Sequence, residues 1–333
     1  MDLALEQDLG WNTTIALNYM GSFGRELDSS NDVNVGDSAT STVSYAVNNN
    51  TTQTVLPGTY ITLPHGGKNP PLPNGFVYTT KLFTGAGRPN PLYGDILDIA
   101  SNVNSSYNAL AVQLNRRFSQ GFSFMTNYTW SHALDFNPYI GTGVPTFNVF
   151  DPTDLKKVFG NSSLDVRQRF VFAAVYQPTF NTHGWLQYAA EGWRIAPIVQ
   201  AQTGLPYSPT VSGSAPGGAF KGINGTGSSA DRVDILGRNQ VYMPKNAVVD
   251  LRVGKNFDLP GPFRERLRLE LFAEVFNLMN HQNITSVSHG AYSISTGSTN
   301  TFNFVQNYGT YLNSNSNTIY SQREMQLAAR LHF

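Results

Sequence analysis

Glu324-Met325-Gln326-Leu327-Ala328-Ala329-Arg330-Leu331-His332-Phe333 is the stretch from which the rest of the chain can be read. Met325, Leu327, Ala329, Leu331 and Phe333 recur at every second position, and Glu324, Gln326, Ala328, Arg330 and His332 alternate with them. Successive side chains of a β-strand point to opposite sides, so this alternation marks a strand whose faces meet different surroundings. The preceding segment repeats it: Leu267, Leu269, Leu271, Ala273 and Val275 oppose Arg266, Arg268, Glu270, Phe272, Glu274 and Phe276. Further back, Ala247, Val249, Leu251 and Val253 oppose Val248, Asp250, Arg252, Gly254 and Asn256.

A magnitude decides what the apolar face meets. An Arg or Lys turned toward lipid costs about 2–4 kcal/mol at mid-bilayer, and a carboxylate somewhat less. Turning Arg268, Glu270 and Glu274 outward is therefore prohibitive, while the Leu/Ala/Val face carries no such penalty. The polar face must line an interior holding water or a polar plug.

Upstream the same reading holds. Leu3, Leu5 and Leu9 share a face with Gln7, then Ile15, Leu17, Tyr19 and Phe23, then Leu110, Val112, Leu114 and Phe118. Phe122, Phe124, Tyr128 and Trp130 oppose Ser123, Asn127, Thr129 and Ser131. Phe170, Phe172, Ala174 and Tyr176 form the next face, and Trp193, Ile195, Val199 and Ala201 oppose Arg194, Gln200 and Gln202. Pro197 cannot donate to a ladder and predicts a bulge or local irregularity.

About nine spanning segments result: 2–9, 11–24, 106–118, 122–134, 166–178, 191–203, 246–257, 265–278 and 322–333. Their connections alternate. Short links lie near Gly10, at Ser119-Gln120-Gly121, at 179–190 and at 258–264; 25–105, 135–165, 204–245 and 279–321 are long. Short turns on one side and long loops on the other are the arrangement of outer-membrane barrels, with the short side periplasmic. Trp11, Tyr128, Trp130, Tyr176 and Trp193 near strand ends fit interfacial girdles, or equally the edge of a soluble core. The long connections are rich in Asn, Ser, Thr, Gly and Pro, as in Asn48–Thr52 and Gly222–Gly227, and read as exposed and partly disordered. The longest is expected to carry a strand of its own near 92–103, extending a hairpin above the membrane.

Composition agrees. Charged residues are 13% of 333, about half the usual share. Zero net charge argues against a nucleic-acid footprint. No cysteine is present, which removes disulfides, thiolate nucleophiles and Cys-based zinc sites. The start, Met1-Asp2-Leu3-Ala4-Leu5-Glu6, lacks the basic and apolar regions of a signal peptide. The longest clear apolar run, Phe170–Tyr176, falls far short of the ~20 residues of a spanning helix. Any membrane crossing is made with strands.

Ser106-Tyr107-Asn108-Ala109-Leu110 running into Asn115–Gly121, Tyr128-Thr129-Trp130-Ser131 with Asp135, Asp165–Phe170, Thr203–Tyr207 and Glu274–His281 form a recognisable set. Together these resemble the barrel of TonB-dependent receptors of the Oar-like type found in Acidobacteria, over residues 105–333. The family often has His where this chain has Gln168. The resemblance implies an all-β, antiparallel barrel of about 22 strands around an N-terminal plug, preceded in Oar-like members by a carboxypeptidase-regulatory-like domain. Residues 1–333 then read as the C-terminal part of one barrel domain, with plug, regulatory domain and signal peptide outside it and Met1 an internal methionine. The partners implied are outer-membrane lipid, the missing plug and barrel strands, a TonB-type energy-coupling protein acting through that plug, and the barrel-assembly machinery. The last is expected to engage the terminal strand through Phe333. The function implied is import of a ligand that the sequence does not identify; the rival reading is an outer-membrane adhesion or assembly protein with ligand-binding loops.

No catalytic, cofactor or metal site is expected. The histidines (His65, His132, His183, His281, His289 and His332) show no zinc spacing. Ser131 and His132 are neighbours on a strand and point apart, which argues against a triad. Gly222–Gly227 lacks the Gly-Lys-Ser/Thr of a phosphate loop. Asp32, Asn34 and Asp37 lack the Gly and closing Glu of a calcium loop. Arg252, Arg268, Glu270, Glu274 and Arg330 read as cross-strand ion pairs lining the interior, or as a substrate route. Tyr60, Phe76, Tyr78, Tyr93 and Phe147 either pack within the loops or stack on a ligand.

Overall fold

A computed structural model of the chain describes residues 1–35, 40–49, 71–86, 88–136, 150–180, 183, 185–227, 231–260, 266–314 and 322–332. Phe333, Asp37, Tyr60, His65 and Phe147 lie outside the described residues. The fold is all-β apart from short helical turns such as α1 (Trp185–Ala190). The first six strands are β1 (Asp2–Gly10), β2 (Thr13–Asp32), β3 (Thr40–Asn48), β4 (Val77–Phe83), β5 (Leu97–Ser119) and β6 (Phe122–Asp135). They are followed by β7 (Gly160–Asn161), β8 (Gln168–Tyr176), β9 (Trp193–Gln202), β10 (Pro206–Tyr207), β11 (Thr210–Ser212), β12 (Val241–Tyr242) and β13 (Asn246–Pro260). The last are β14 (Arg266–Phe276), β15 (Ile284–Val287), β16 (Gly290–Ser295), β17 (Thr301–Phe304), β18 (Tyr311–Ser314) and β19 (Glu324–His332).

The largest sheet runs β1-β2-β5-β6-β8-β9-β13-β14-β19, with β7 attached to β6 off that path. Each of the nine expected segments falls on one strand of the path, and every pairing along it is antiparallel. The registers align faces that are legible one strand at a time. Leu5, Leu17, Val112, Tyr128, Phe170, Ala201 and Ala247 follow one another across neighbouring strands, as do Pro197, Leu251, Val275 and Met325. One side of the sheet is therefore apolar from edge to edge, with Leu3, Leu5, Met325 and Leu327 more than half exposed. An apolar surface of that extent is not left to water.

Hairpin turns fix the register. Gln120 and Gly121 both have positive φ, and Ser119 pairs with Phe122, so β5 and β6 are joined by a two-residue turn of the hand that matches strand twist. A Cβ on Gly121 would lie 2.3 Å from the carbonyl oxygen of Gln177, so glycine is required twice over. At Pro197 no bulge forms. The β9–β13 register passes straight through Pro197 and Leu251. The β8–β9 ladder instead lacks pairs between Ala173–Ile198 and Tyr176–Ile195 and resumes in the same register, as a missing N–H toward β8 dictates.

The expected separate strand near 92–103 is the start of β5. It pairs with the far end of β2 from Leu27–Val103 out to Asp32–Leu97, beyond a register shift at Gly24–Asp28. The hairpin thus extends past the membrane-spanning part, as expected, through strands that continue without a break.

Among the described residues β1 pairs only with β2 and β19 only with β14. The sheet is open and closes no barrel. Among the described residues no helix is long and apolar enough to cross a membrane.

The long connections depart most from expectation. They fold into a cap with a five-stranded sheet, β11-β16-β17-β3-β4, in which β11–β16 and β17–β3 are parallel. Two small sheets, β10–β12 and β15–β18, complete it.

Candidate functional site

The larger of the cap's two hydrophobic clusters is drawn from all four long connections. Tyr45 and Tyr78 come from 25–105, Phe150 and Val158 from 135–165, Ile223 and Val233 from 204–245, and Tyr292 and Phe302 from 279–321. Tyr45 stacks on Phe302 at 4.4 Å between ring centroids, and its hydroxyl donates to the Ile223 carbonyl at 2.7 Å. The Tyr292 hydroxyl accepts from the Leu72 amide at 2.6 Å. Burial pushes the Tyr45 hydroxyl far above its usual range and Tyr292 to about 12. The expectation of exposed, partly disordered loops is therefore corrected for the described residues. Ile223 and Asn224, within the glycine-rich Gly222–Gly227, are fully buried. The abundant Asn side chains satisfy backbone groups rather than solvent: Asn224 Nδ2 donates to Phe150 O, and Asn34 Nδ2 faces the carbonyls of Asn90, Tyr93 and Gly94. For β3 the sequence does carry a strand signal, since Val43, Tyr45 and Val47 alternate with Thr42, Ser44 and Ala46.

Where cap meets sheet, a polar junction gathers residues of the recognisable stretches. Arg238, nearly buried, donates to the carbonyls of Asp135, Val158 and Asn161 and pairs with the Asp135 carboxylate. Arg167 Nε donates to Asp165 Oδ2 at 2.5 Å, while Asp165 Oδ1 accepts from the Ala133 amide and Oδ2 from the Tyr242 hydroxyl. The Ser131 hydroxyl donates to Val166 O, and the Thr203 amide to Gln168 O. Gly204 passes so close to Met243 that a Cβ would lie 2.0 Å from its carbonyl oxygen. Asn277 and His281 close a loop by reciprocal bonds, Asn277 Nδ2 to His281 O and His281 N to Asn277 Oδ1, both at 3.0 Å. These stretches build turns and buried bonds that join the cap to the sheet.

On the polar side of the sheet the expected ion pairs form. Arg252 reaches Glu270 at 3.3 Å and Glu274 at 3.4 Å, Arg268 reaches Asp258 at 3.0 Å, and Arg330 and His332 approach Glu270 at 3.9 and 3.7 Å. Each joins adjacent strands. Arg117, Arg169 and Arg194 lie on the same side and are exposed.

The other candidates sort by geometry. His132 Nε2 lies 2.7 Å from Arg167 Nη2 and 3.0 Å from Asn161 Oδ1, while Ser131 points to the opposite face, so the two form no dyad. Asp32 accepts from the amides of Asn34 and Ile96 and is paired with Arg88 at 3.1 Å, so a guanidinium stands where a calcium reading would put the cation. Among the described residues no group of acidic or histidine side chains is arranged to hold a metal. Asp151 receives Thr153 and Lys157; burial acts to raise its pKa, but these hydrogen bonds and the Lys157 charge outweigh it and hold the carboxyl low. Tyr78 is core, whereas Phe76 and Tyr93 are exposed. Tyr207 stacks on His289 at 4.5 Å, and burial lowers the His289 pKa.

An antiparallel sheet with one continuous apolar face, charged pairs on the other and every long connection at one end defines an outer-membrane β-barrel wall. The chain belongs to the outer membrane beta barrel domain family, which matches residues 1–326, and its place is the outer membrane. Among solved structures it is similar to the closed form of the ferric-catecholate import receptor Fiu from E. coli K12. Identity is 10% and the TM-score 0.34, over 90% of this chain and 33% of that one. The chain thus spans about a third of that receptor's length. No curated protein matches it.

Proposed function

We propose that the chain forms part of the wall and the outer cap of a TonB-dependent receptor of the Oar-like type, and that the whole protein imports a ligand through the completed barrel. The observation that carries this reading is the open sheet beneath a folded cap. Each free edge would leave unpaired N–H and C=O groups in hydrocarbon, at several kcal/mol apiece. Both β1 and β19 run from the cap end to the short-turn end, so they are parallel to one another. An antiparallel closure therefore needs an odd number of further strands, which makes an even total, as in bacterial barrels; a total of about 22 satisfies it. Those strands, a plug, a regulatory domain and a signal peptide would belong to the longer protein, with residues 1–333 the C-terminal part of its barrel domain. A TonB-type protein would act through the plug, and the assembly machinery would take up the terminal strand ending in Phe333. The chain has no catalytic role in this reading.

A second reading has its own support. A cap fixed by one shared core suits a binding head of an adhesion or assembly protein through which nothing passes. Uptake by a deletion strain separates the two: import of a class of nutrients falls for a transporter and is unchanged for an adhesin. A heat-modifiable band extracted from outer membranes is expected in either case, and quantitative recovery in the soluble fraction would overturn both.

A further inference from the structure

The apolar face has one irregularity that the transport reading does not use. Within its membrane-spanning part, the described residues of that face include two charged side chains, Arg116 on β5 and Lys255 on β13. The registers place them there: Arg116 continues the row of Leu110, Val112 and Leu114 and pairs with Phe124, and Lys255 continues Leu251 and Val253 and pairs with Trp193 and Leu271. Both sit toward the short-turn ends of their strands, Ser119 and Pro260. Arg116 pairs with Thr13, the first residue of β2, and Lys255 with Trp193, the first residue of β9, so both stand at the rim where those strands begin. Charge at this level is tolerated because the lipid-face penalty falls to about 0–1 kcal/mol near the interface.

Each cation is set among rings. The Arg116 guanidinium lies 5.8 Å from the Phe122 ring, and it has no carboxylate partner among the described residues. Lys255 Nζ lies 4.8 Å from the Trp193 ring and 5.6 Å from Phe257. Two of its three N–H groups go to the carbonyls of Ala189, at 2.9 Å, and Glu191, at the end of α1. The Glu191 carboxylate is itself hydrogen-bonded by Gln187 at 3.2 Å. From Lys255 an apolar groove of about 590 Å³ runs up the face between Trp193, Val253, Leu271, Ala273, Leu327 and Ala329. A cation at the headgroup level, opening onto an apolar channel at the acyl level, matches one kind of molecule.

We infer that Arg116 and Lys255 each hold the phosphate of an anionic glycerophospholipid of the periplasmic leaflet, and that the lipid at Lys255 lays an acyl chain in the adjoining groove. The sites rest on the outer-membrane placement and are independent of whether the protein transports. A free anion would not use the groove, and a zwitterionic lipid would bring a second cation to a site that already holds one.

The test uses protein extracted from outer membranes and exchanged into nanodiscs of phosphatidylglycerol and phosphatidylcholine with identical acyl chains, the retained lipids being counted by mass spectrometry. Wild type is expected to enrich phosphatidylglycerol. Arg116→Gln and Lys255→Gln should each lower that enrichment about fivefold, the scale of one basic residue at a membrane surface. Arg116→Lys and Lys255→Arg should keep it, and heat-modifiable migration confirms that each variant is folded. Unchanged enrichment in the double Gln variant overturns the inference. Displacement of the lipid by inorganic phosphate overturns the lipid assignment.

Discussion

Tyr45 offers the sharpest test of the cap, because it binds one long connection to two others. Its ring is fully buried against Phe302, and its hydroxyl meets Ile223 O at 2.7 Å. Removing only the hydroxyl, in Tyr45→Phe, leaves a buried carbonyl without its donor, at about 1–3 kcal/mol. Tyr45→Ala also deletes the ring, at about 3–5 kcal/mol for a large aromatic side chain, and ends the stacking on Phe302. About 4 kcal/mol lost from one cooperative unit speeds exchange of its amides roughly a thousandfold. Hydrogen exchange on protein held in detergent should therefore rise in β16 and β17, far away in sequence, as much as in β3. Core strands of the large sheet such as β6 and β8 should keep their protection. If exchange rises only in β3 and β4, the four connections do not share one core and the reasoning fails.

Three further outcomes follow from particular contacts. Leu251→Arg puts a charge in the middle of the apolar face, beside Pro197 and Val275, and should cost about 2–4 kcal/mol; the measurement is the heat-modifiable fraction recovered from membranes, and a wild-type yield would refute the lipid-facing assignment. Gly204→Ala would drive a Cβ to 2.0 Å from Met243 O and 2.5 Å from Pro244 O, and is expected to destabilise the protein by about 2 kcal/mol in thermal unfolding. Acid should loosen the cap around His289: burial depresses its folded pKa, so the unfolded chain takes the proton first. That stability is complete above the unfolded value of about 6.5 and is lost as pH falls through the folded one. Tyr207, stacked on that ring, supplies the fluorescence probe, and a flat pH profile of cap protection would contradict the assignment.

The wall of the sheet was legible in the sequence because its two faces meet different solvents. Lipid on one side and a polar interior on the other force period two on every strand, so Leu267–Val275 or Ala247–Val253 declares its faces without reference to a neighbour. Pairing then brought those faces together in register. The recognisable stretches were legible as a set, but not what they do. Asp165, Arg167, Asn277 and His281 are ordinary polar residues until the fold joins them to partners such as Ala133, Tyr242 and Asn161.

The sequence by itself determined the nine membrane-spanning strands, the side of each that faces lipid and the alternation of short and long connections, since each is set by local periodicity and composition. Only the tertiary structure decided that the long connections form one cap. It also decided that Arg116 and Lys255 stand among aromatic rings, with an apolar groove opening beside Lys255. The physical reason is range. A strand in a bilayer is selected residue by residue by the solvent it meets, whereas Tyr45, Phe150, Ile223 and Phe302 become a core only when four separate segments, polar in composition, are brought to the same place.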